Sequence, residues 1–192
     1  MIATDFETLY PRFAERLAAA GGHATQASGT DALVAAIVER YPTQPDDAPS
    51  ERVVWIAEET ASNAPGLLAA LAARGLTPRI SKGPSEVRDQ PLGLAIAHAT
   101  IAETGSSLLV EPTVAGRSVT LMTETLIVLC RQATLVADLT VAAGILRDVS
   151  ATGASCATFV TGPSRTADIE RTLAVGVQGP GILHVIFTDK IS

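Results

Sequence analysis

In Arg52-Val53-Val54-Trp55-Ile56-Ala57 the five residues after the arginine are an unbroken run of β-branched, aromatic and small residues. Such a run is what a strand buried on both faces requires, and strands of that kind belong to parallel sheets covered by helices. An Ala/Leu-rich stretch from about Ala64 to Arg74 follows with helical composition, and Gly75 is placed to stop it. A buried strand, then a helix, then a stop is the first half of a βαβ unit, whose crossover lays the helix on a sheet face. The α/β class rests on this stretch.

Upstream, Thr4-Asp5-Phe6-Glu7 reads as a capping box, and Phe6, Leu9, Phe13 and Leu17 recur at helical spacing until Gly21-Gly22. Thr30 can cap a second helix with Leu33, Val34, Ile37 and Val38 on its inner face, and Asp46 to Ser50 reads as a loop. Downstream, Leu76 to Ile80 reads as a short strand and Ser81 to Pro91 as a loop rich in turn formers. From Leu92 onward short apolar runs dominate: Leu92–Ala97, Ser107–Val110, Val119–Met122, Leu126–Cys130, Ala157–Val160 and Ile182–Phe187. These read as strands, with one further helix near Thr140 to Val149. The order predicts one three-layer α/β/α domain over residues 1–192, built on a mixed, mainly parallel sheet. Residues 1–91 form its helix-rich part and 92–192 its motif-bearing part.

Hydrophobic residues make up 47% of the 192 and charged ones 18%, the balance of a chain that buries a core rather than staying disordered. The net charge of −6, with no basic run, argues against nucleic acid and anionic membrane surfaces as partners. No apolar span is long enough for a membrane helix, and Met1-Ile2-Ala3-Thr4-Asp5 lacks the pattern of a signal peptide, so the expected location is cytoplasmic. Cys130 and Cys156 lie in apolar stretches without CxxC spacing and are expected to be buried thiols. An iron–sulfur cluster normally takes four cysteine ligands, so this chain cannot hold one alone. His23, His98 and His184 show no paired spacing, and no metal site is expected; His184 reads as a core or edge histidine, His98 as site-lining or an ordinary polar position.

Three polar clusters carry the chemistry. Gly162-Pro163-Ser164-Arg165-Thr166-Ala167-Asp168-Ile169-Glu170 follows an apolar run and opens a short amphipathic segment. Backbone N–H groups at a helix start, the Ser164 and Thr166 hydroxyls and the Arg165 guanidinium suit an anion. Asp168 reads equally as a helix-capping carboxylate. In Ala102-Glu103-Thr104-Gly105-Ser106-Ser107, Gly105 allows a tight turn, and Glu103 can accept or donate a proton; a plain hairpin turn is the alternative. Gly176-Val177-Gln178-Gly179-Pro180-Gly181 precedes the last strand. The predicted site joins Glu103, as candidate catalytic carboxylate, to Thr104, Gly105, Ser106, Arg117, Gly162, Ser164, Arg165, Thr166, Asp168, Gln178 and Gly179 as ligand-binding residues. A dinucleotide fingerprint, a P-loop and a complete nucleophile elbow are all absent.

These segments resemble the LUD-domain family, specifically its lactate-utilisation protein C group. The likeness is carried by Ile101-Ala102-Glu103-Thr104-Gly105-Ser106, Ala115-Gly116-Arg117, Thr161 to Glu170, Gly176-Val177-Gln178-Gly179-Pro180 and Leu183-His184-Val185. The resemblance implies a fold similar to ribose-phosphate isomerases and CoA-transferases. It also implies an accessory role in oxidising L-lactate to pyruvate, beside partner subunits that carry the iron–sulfur clusters. In that role the chain would bind a small carboxylate or phosphate, or the partner subunits themselves, and homo-oligomerisation is compatible with it. The chain departs from the family pattern at Gln178 and Leu126, where histidine is usual, and at Ala97-His98-Ala99-Thr100. Two other functions stay open: a transferase- or isomerase-like enzyme using Glu103, and a ligand-sensing domain without chemistry.

Overall fold

The computed structural model describes residues 5–43, 51–153, 156–166, 174–175 and 179–191. The chain opens with helix α1 (Phe6–Ala19), whose Leu9, Phe13 and Leu17 are buried at the spacing the sequence sets. Gly21, at φ +89°, turns the chain into strand β1 (His23–Gln26), and α2 (Gly29–Glu39) follows. Strand β2 (Val53–Ile56) leads into α3 (Glu58–Asn63) and α4 (Pro65–Ala73), then β3 (Thr77–Ile80) and a short α5 (Pro84–Val87). Next come β4 (Leu92–Ile96), β5 (Ala99–Ile101), β6 (Ser106–Val110), α6 (Val114–Met122), β7 (Thr125–Arg131) and β8 (Leu135–Val136). Helix α7 (Leu139–Ala151), β9 (Ala157–Val160), the pair β10 (Arg165–Thr166) and β11 (Ala174–Val175), and β12 (Ile182–Thr188) complete the described chain.

The main sheet has six strands in the order β1-β12-β7-β4-β2-β3. All of its pairings are parallel. A separate four-stranded sheet, β8-β5-β6-β9, is antiparallel except where β5 meets β8. The mainly parallel sheet expected from sequence is the six-stranded one; beside it the described residues form this mostly antiparallel sheet and the antiparallel β10–β11 pair. Side-chain alternation along the central strands feeds two cores. Ile127 and Leu129 of β7 point with Val54, Ile56 and Leu94 toward Leu33, Ile37, Leu67 and Leu71 of α2 and α4. Leu126 and Val128 point the other way with Val185 and Phe187, against Leu9, Phe13 and Leu17 of α1 and Leu109 of the small sheet. Phe187 lies at the centre of an aromatic cluster, with its ring centroid 5.0 Å from that of Phe13.

Strand order also shows where the winding reverses. From β2 the chain moves outward to β3, then returns to place β4 on the opposite side of β2 and continues through β7 to β12. The gap between β2 and β4 is the topological switch point, at whose C-terminal end open α/β sheets bind their ligands.

Several elements differ from the sequence reading. Val119–Met122 is the second half of helix α6, not a strand, because the Thr113 hydroxyl accepts the Gly116 N–H (3.0 Å) and starts a helix before the apolar run begins. A run of four residues cannot by itself distinguish the two. The turn-rich segment Ser81–Pro91 contains α5, and β1, β5 and β8 are too short to leave a periodic signal. Thr4 of the proposed capping box and the loop Asp46–Ser50 lie outside the described residues.

Candidate functional site

The predicted loops approach one another around the end of α1. Thr104 Oγ1 donates to Ser106 Oγ (2.7 Å), and Ser106 Oγ shares a 2.6 Å hydrogen bond with Thr161 Oγ1, next to Gly162. The Ser164 N–H donates to the Pro180 carbonyl (2.8 Å), and a Cβ on Gly179 would stand 3.1 Å from Ser164 Cβ. Two glycines seat the loops on the helix. Gly105, at φ +70°, lies against the backbone of Arg16 and Leu17. Gly162, at φ +83°, lies where a Cβ would come within 2.5 Å of the Ala20 carbonyl. Both positions need glycine for conformation and for closeness.

Two charged members of this cluster, Arg165 and Glu103, serve helix ends. Arg165 Nη2 donates to the Ala20 carbonyl (2.7 Å), placing a cation at the C-terminus of α1. Glu103 Oε2 accepts the Leu139 N–H (3.1 Å), placing a carboxylate at the N-terminus of α7. Arg165 and Thr166 form strand β10 rather than the start of a helix, so the expected helical amides are not at these two residues. Asp168 and Gln178 lie outside the described residues. Arg117 donates to the carbonyls of Glu111 and Pro112 (3.1 and 3.2 Å), so its charge sits beside Glu111. Gly21 precedes β1 and Pro180 precedes β12, so these loops gather at the N-terminal end of the parallel strands.

The C-terminal end holds a different constellation. A cavity of about 430 Å³ opens there between the residues following β2 and those following β4. Its polar lining comes from Glu59, His98, Glu111, Arg131 and Thr134, with Thr60 and Asn63 of α3. Each strand delivers one group: β2 leads to Glu59, β4 to His98, β6 to Glu111, and β7 ends on Arg131. The guanidinium of Arg131 has no hydrogen-bond or ion-pair partner among the described residues. It is a cation left available at the mouth of a switch-point cleft.

Glu111 is only 6% exposed, and Thr120 Oγ1 donates to its Oε2 (2.7 Å). Burial pushes its carboxyl up to about 7; the Thr120 hydrogen bond and the Arg117 charge oppose that rise and the Glu59 carboxylate adds to it. A carboxyl that titrates near neutrality can both give and take a proton under cellular conditions. Glu59 Oε1 accepts from Thr113 Oγ1 (3.1 Å), while its Oε2 is buried without a hydrogen-bond partner. A Cβ on Gly116 would stand 3.0 Å from that oxygen, so the glycine leaves the carboxylate its place against α6. Together these groups can hold a small molecule that carries a carboxylate and an adjacent hydroxyl or carbonyl oxygen. Sequence reading offered His98 as site-lining but missed Glu59, Glu111 and Arg131. Their signal is positional: each is within a few residues of the C-terminal end of a buried strand.

The LUD domain family model matches residues 10–188. The chain belongs to the LUD domain family. This is the family that the Gly162–Glu170 run and the Glu103-Thr104-Gly105 segment resemble. Curated relatives called lactate utilization protein C include one from Shouchella clausii, 38% identical over 55% of this chain and 47% of its own length. Others are from Bacillus licheniformis, 40% identical over 52% and 43%, and Bacillus subtilis, 39% identical over the same shares. This LUD chain therefore spans about half the length of the curated relatives it matches. A crystal structure of a DUF162 family protein from Deinococcus radiodurans aligns over 96% of this chain and 99% of its own, with a TM-score of 0.69 at 18% identity, a likeness of fold.

Among the described residues, no helix of this LUD domain is long and apolar enough to cross a membrane. No group of three or more His, Cys, Asp or Glu side chains among them could hold a metal ion. Cys130 is fully buried in β7, where burial raises its thiol pKa, and Cys156 is half-buried before β9. Two thiols in such settings do not make the four-cysteine donor set of an iron–sulfur cluster.

Proposed function

We propose that this LUD domain serves lactate utilisation by binding a small 2-hydroxy or 2-oxo carboxylate, such as L-lactate or pyruvate, in the switch-point cleft. The observation that carries this reading is the Arg131 guanidinium, without a partner among the described residues, which shares a cleft with a carboxyl titrating near pH 7. Arg131 would take the ligand carboxylate, since a guanidinium matches that group in charge and geometry. Glu111 would face the ligand's hydroxyl or carbonyl oxygen, donating a hydrogen bond when protonated and accepting one when ionised. Names shared by the relatives support the substrate class.

The chain would act as an accessory subunit in the cytoplasm, with electrons carried by iron–sulfur partner proteins. Its own cysteines do not fit a cluster, so no electron-transfer step is assigned to this chain. An enzyme built on Glu103 has less support, because that carboxylate is engaged at the start of α7.

Isothermal titration of L-lactate and pyruvate into the wild type, Arg131→Gln and Arg165→Ala tests the reading. Arg131→Gln should weaken binding by at least about tenfold, the loss of a hydrogen-bonded charge pair, while Arg165→Ala binds as wild type. The opposite ranking would move the site to the loop cluster of Thr104, Ser106, Ser164 and Arg165. No binding to any of the three would remove the ligand class.

A further inference from the structure

A second cavity, also of about 430 Å³, lies at the other end of the main sheet. Alanines 14 and 18 of α1 line one side, and its polar groups are His23 and Thr25 of β1, His184 of β12 and Arg40 beyond α2. Strand register explains the grouping. His23 is paired with His184 and Thr25 with Ile186, so His23, Thr25 and His184 share one face of the sheet. The two imidazoles stack, with centroids 5.2 Å apart and planes inclined by 28°.

Among the described residues, every ionisable group lining this cavity is basic, in a chain whose net charge is −6. Arg40 has a side chain only 17% exposed, and its Nη1 donates to the Ala36 carbonyl (2.8 Å) and pairs with Glu39 (3.3 Å). Its Nε and Nη2 make no hydrogen bond to a described residue. The Glu39 side chain that pairs with Arg40 is itself 78% exposed. Two buried polar atoms, Thr25 Oγ1 and His184 Nδ1, have no hydrogen-bond partner among the described residues. Buried polar groups are nearly always satisfied, so a cluster of unsatisfied ones beside a partly free guanidinium points to a ligand. Burial, His23 and Arg40 all push His184 down, to about 4, which keeps it uncharged at neutral pH. The net field is still that of Arg40.

We propose that this cavity between β1, β12 and the end of α2 is a second binding site, for a small oxyanion held by Arg40 with the His23–His184 pair beside it. The shared chemistry is that of a phosphate or a carboxylate group. The site is distinct from the switch-point cleft, because it opens where β1 and β12 begin rather than where β2 and β4 end.

The chain contains three histidines, which makes the test self-controlled. Imidazole carbon–proton NMR signals of the full chain are followed while inorganic phosphate, and separately acetate, is added at constant pH and ionic strength. The His23 and His184 signals should move together along one saturable curve with at least one of the two anions, at a midpoint separate from that of any movement of His98 in the switch-point cleft. Which anion acts identifies the oxyanion. Arg40→Gln should weaken the response about tenfold. His23→Gln, at an exposed position, should weaken it while leaving the thermal melt in place, which covers the case of a poorly folded Arg40 variant. A response confined to His98, no saturable response to either anion, or wild-type affinity in both variants would overturn the proposal.

Discussion

Replacing Glu111 by Gln should make the protein more stable, and increasingly so as pH rises. Burial holds the folded-state carboxyl at about 7 against an ordinary value of 4.5. The folded state therefore binds the proton more tightly than the unfolded state does. Between those two values the native chain carries more protons, so stability falls as pH rises, and the full cost is in place above about 7. At about 1.4 kcal/mol per tenfold change in proton affinity, the cost at pH 8 is on the order of 3 kcal/mol. Gln keeps the shape and an oxygen to accept the Thr120 hydroxyl, but carries no charge to desolvate. Urea unfolding of the two proteins at pH 4.5, 6 and 8 measures the difference. It should be smallest at pH 4.5, grow through pH 6 and level off near 3 kcal/mol by pH 8. A difference that stays flat, or that favours the wild type at pH 8, would refute the assignment of Glu111 as a carboxyl kept protonated by its surroundings. Glu59→Gln should lower the Glu111 midpoint, because it removes a neighbouring negative charge.

Phe187→Ala empties the centre of the aromatic cluster between α1 and the sheet and should cost about 3–5 kcal/mol, read as a melting temperature lower by roughly 10 °C or more. Gly162→Ala should destabilise by about 2–4 kcal/mol, combining a positive φ with crowding of the Ala20 carbonyl. Gly29→Ala, with a similar φ of +76° but open space around it, should cost only about 1 kcal/mol in the same unfolding assay. Arg165→Ala should lose about 0.5–1.5 kcal/mol, the value of one hydrogen bond to the α1 terminus, as measured by chemical denaturation.

The parts of the fold legible in sequence are those with long or unbroken patterns. Leu9, Phe13 and Leu17 announce α1, and the Val53–Ile56, Leu92–Ile96 and Leu126–Cys130 runs announce the central strands. Val119–Met122 misleads because a four-residue run with three apolar side chains fits a helix and a strand equally well, and the deciding cap at Thr113 lies before the run. The loop cluster reads in sequence as a polar site for an anion, with a close approach expected at Gly105; its described members do approach one another around α1. What its charges do there was not legible. Arg165 and Glu103 meet helix ends that come from residues 145 and 36 positions away. The switch-point cleft was harder still, since it depends on β4 crossing to the far side of β2. Nothing local in Glu59, Glu111 or Arg131 records that crossing.

A crystal structure of the chain soaked in L-lactate addresses the central claim most directly. The account predicts a carboxylate on the Arg131 guanidinium, with the 2-hydroxyl turned toward Glu111 and the Thr104–Ser164 cluster without ligand density. Lactate bound against Arg165 and Ser164 instead, or an undisturbed Arg131 at saturating lactate, would contradict it.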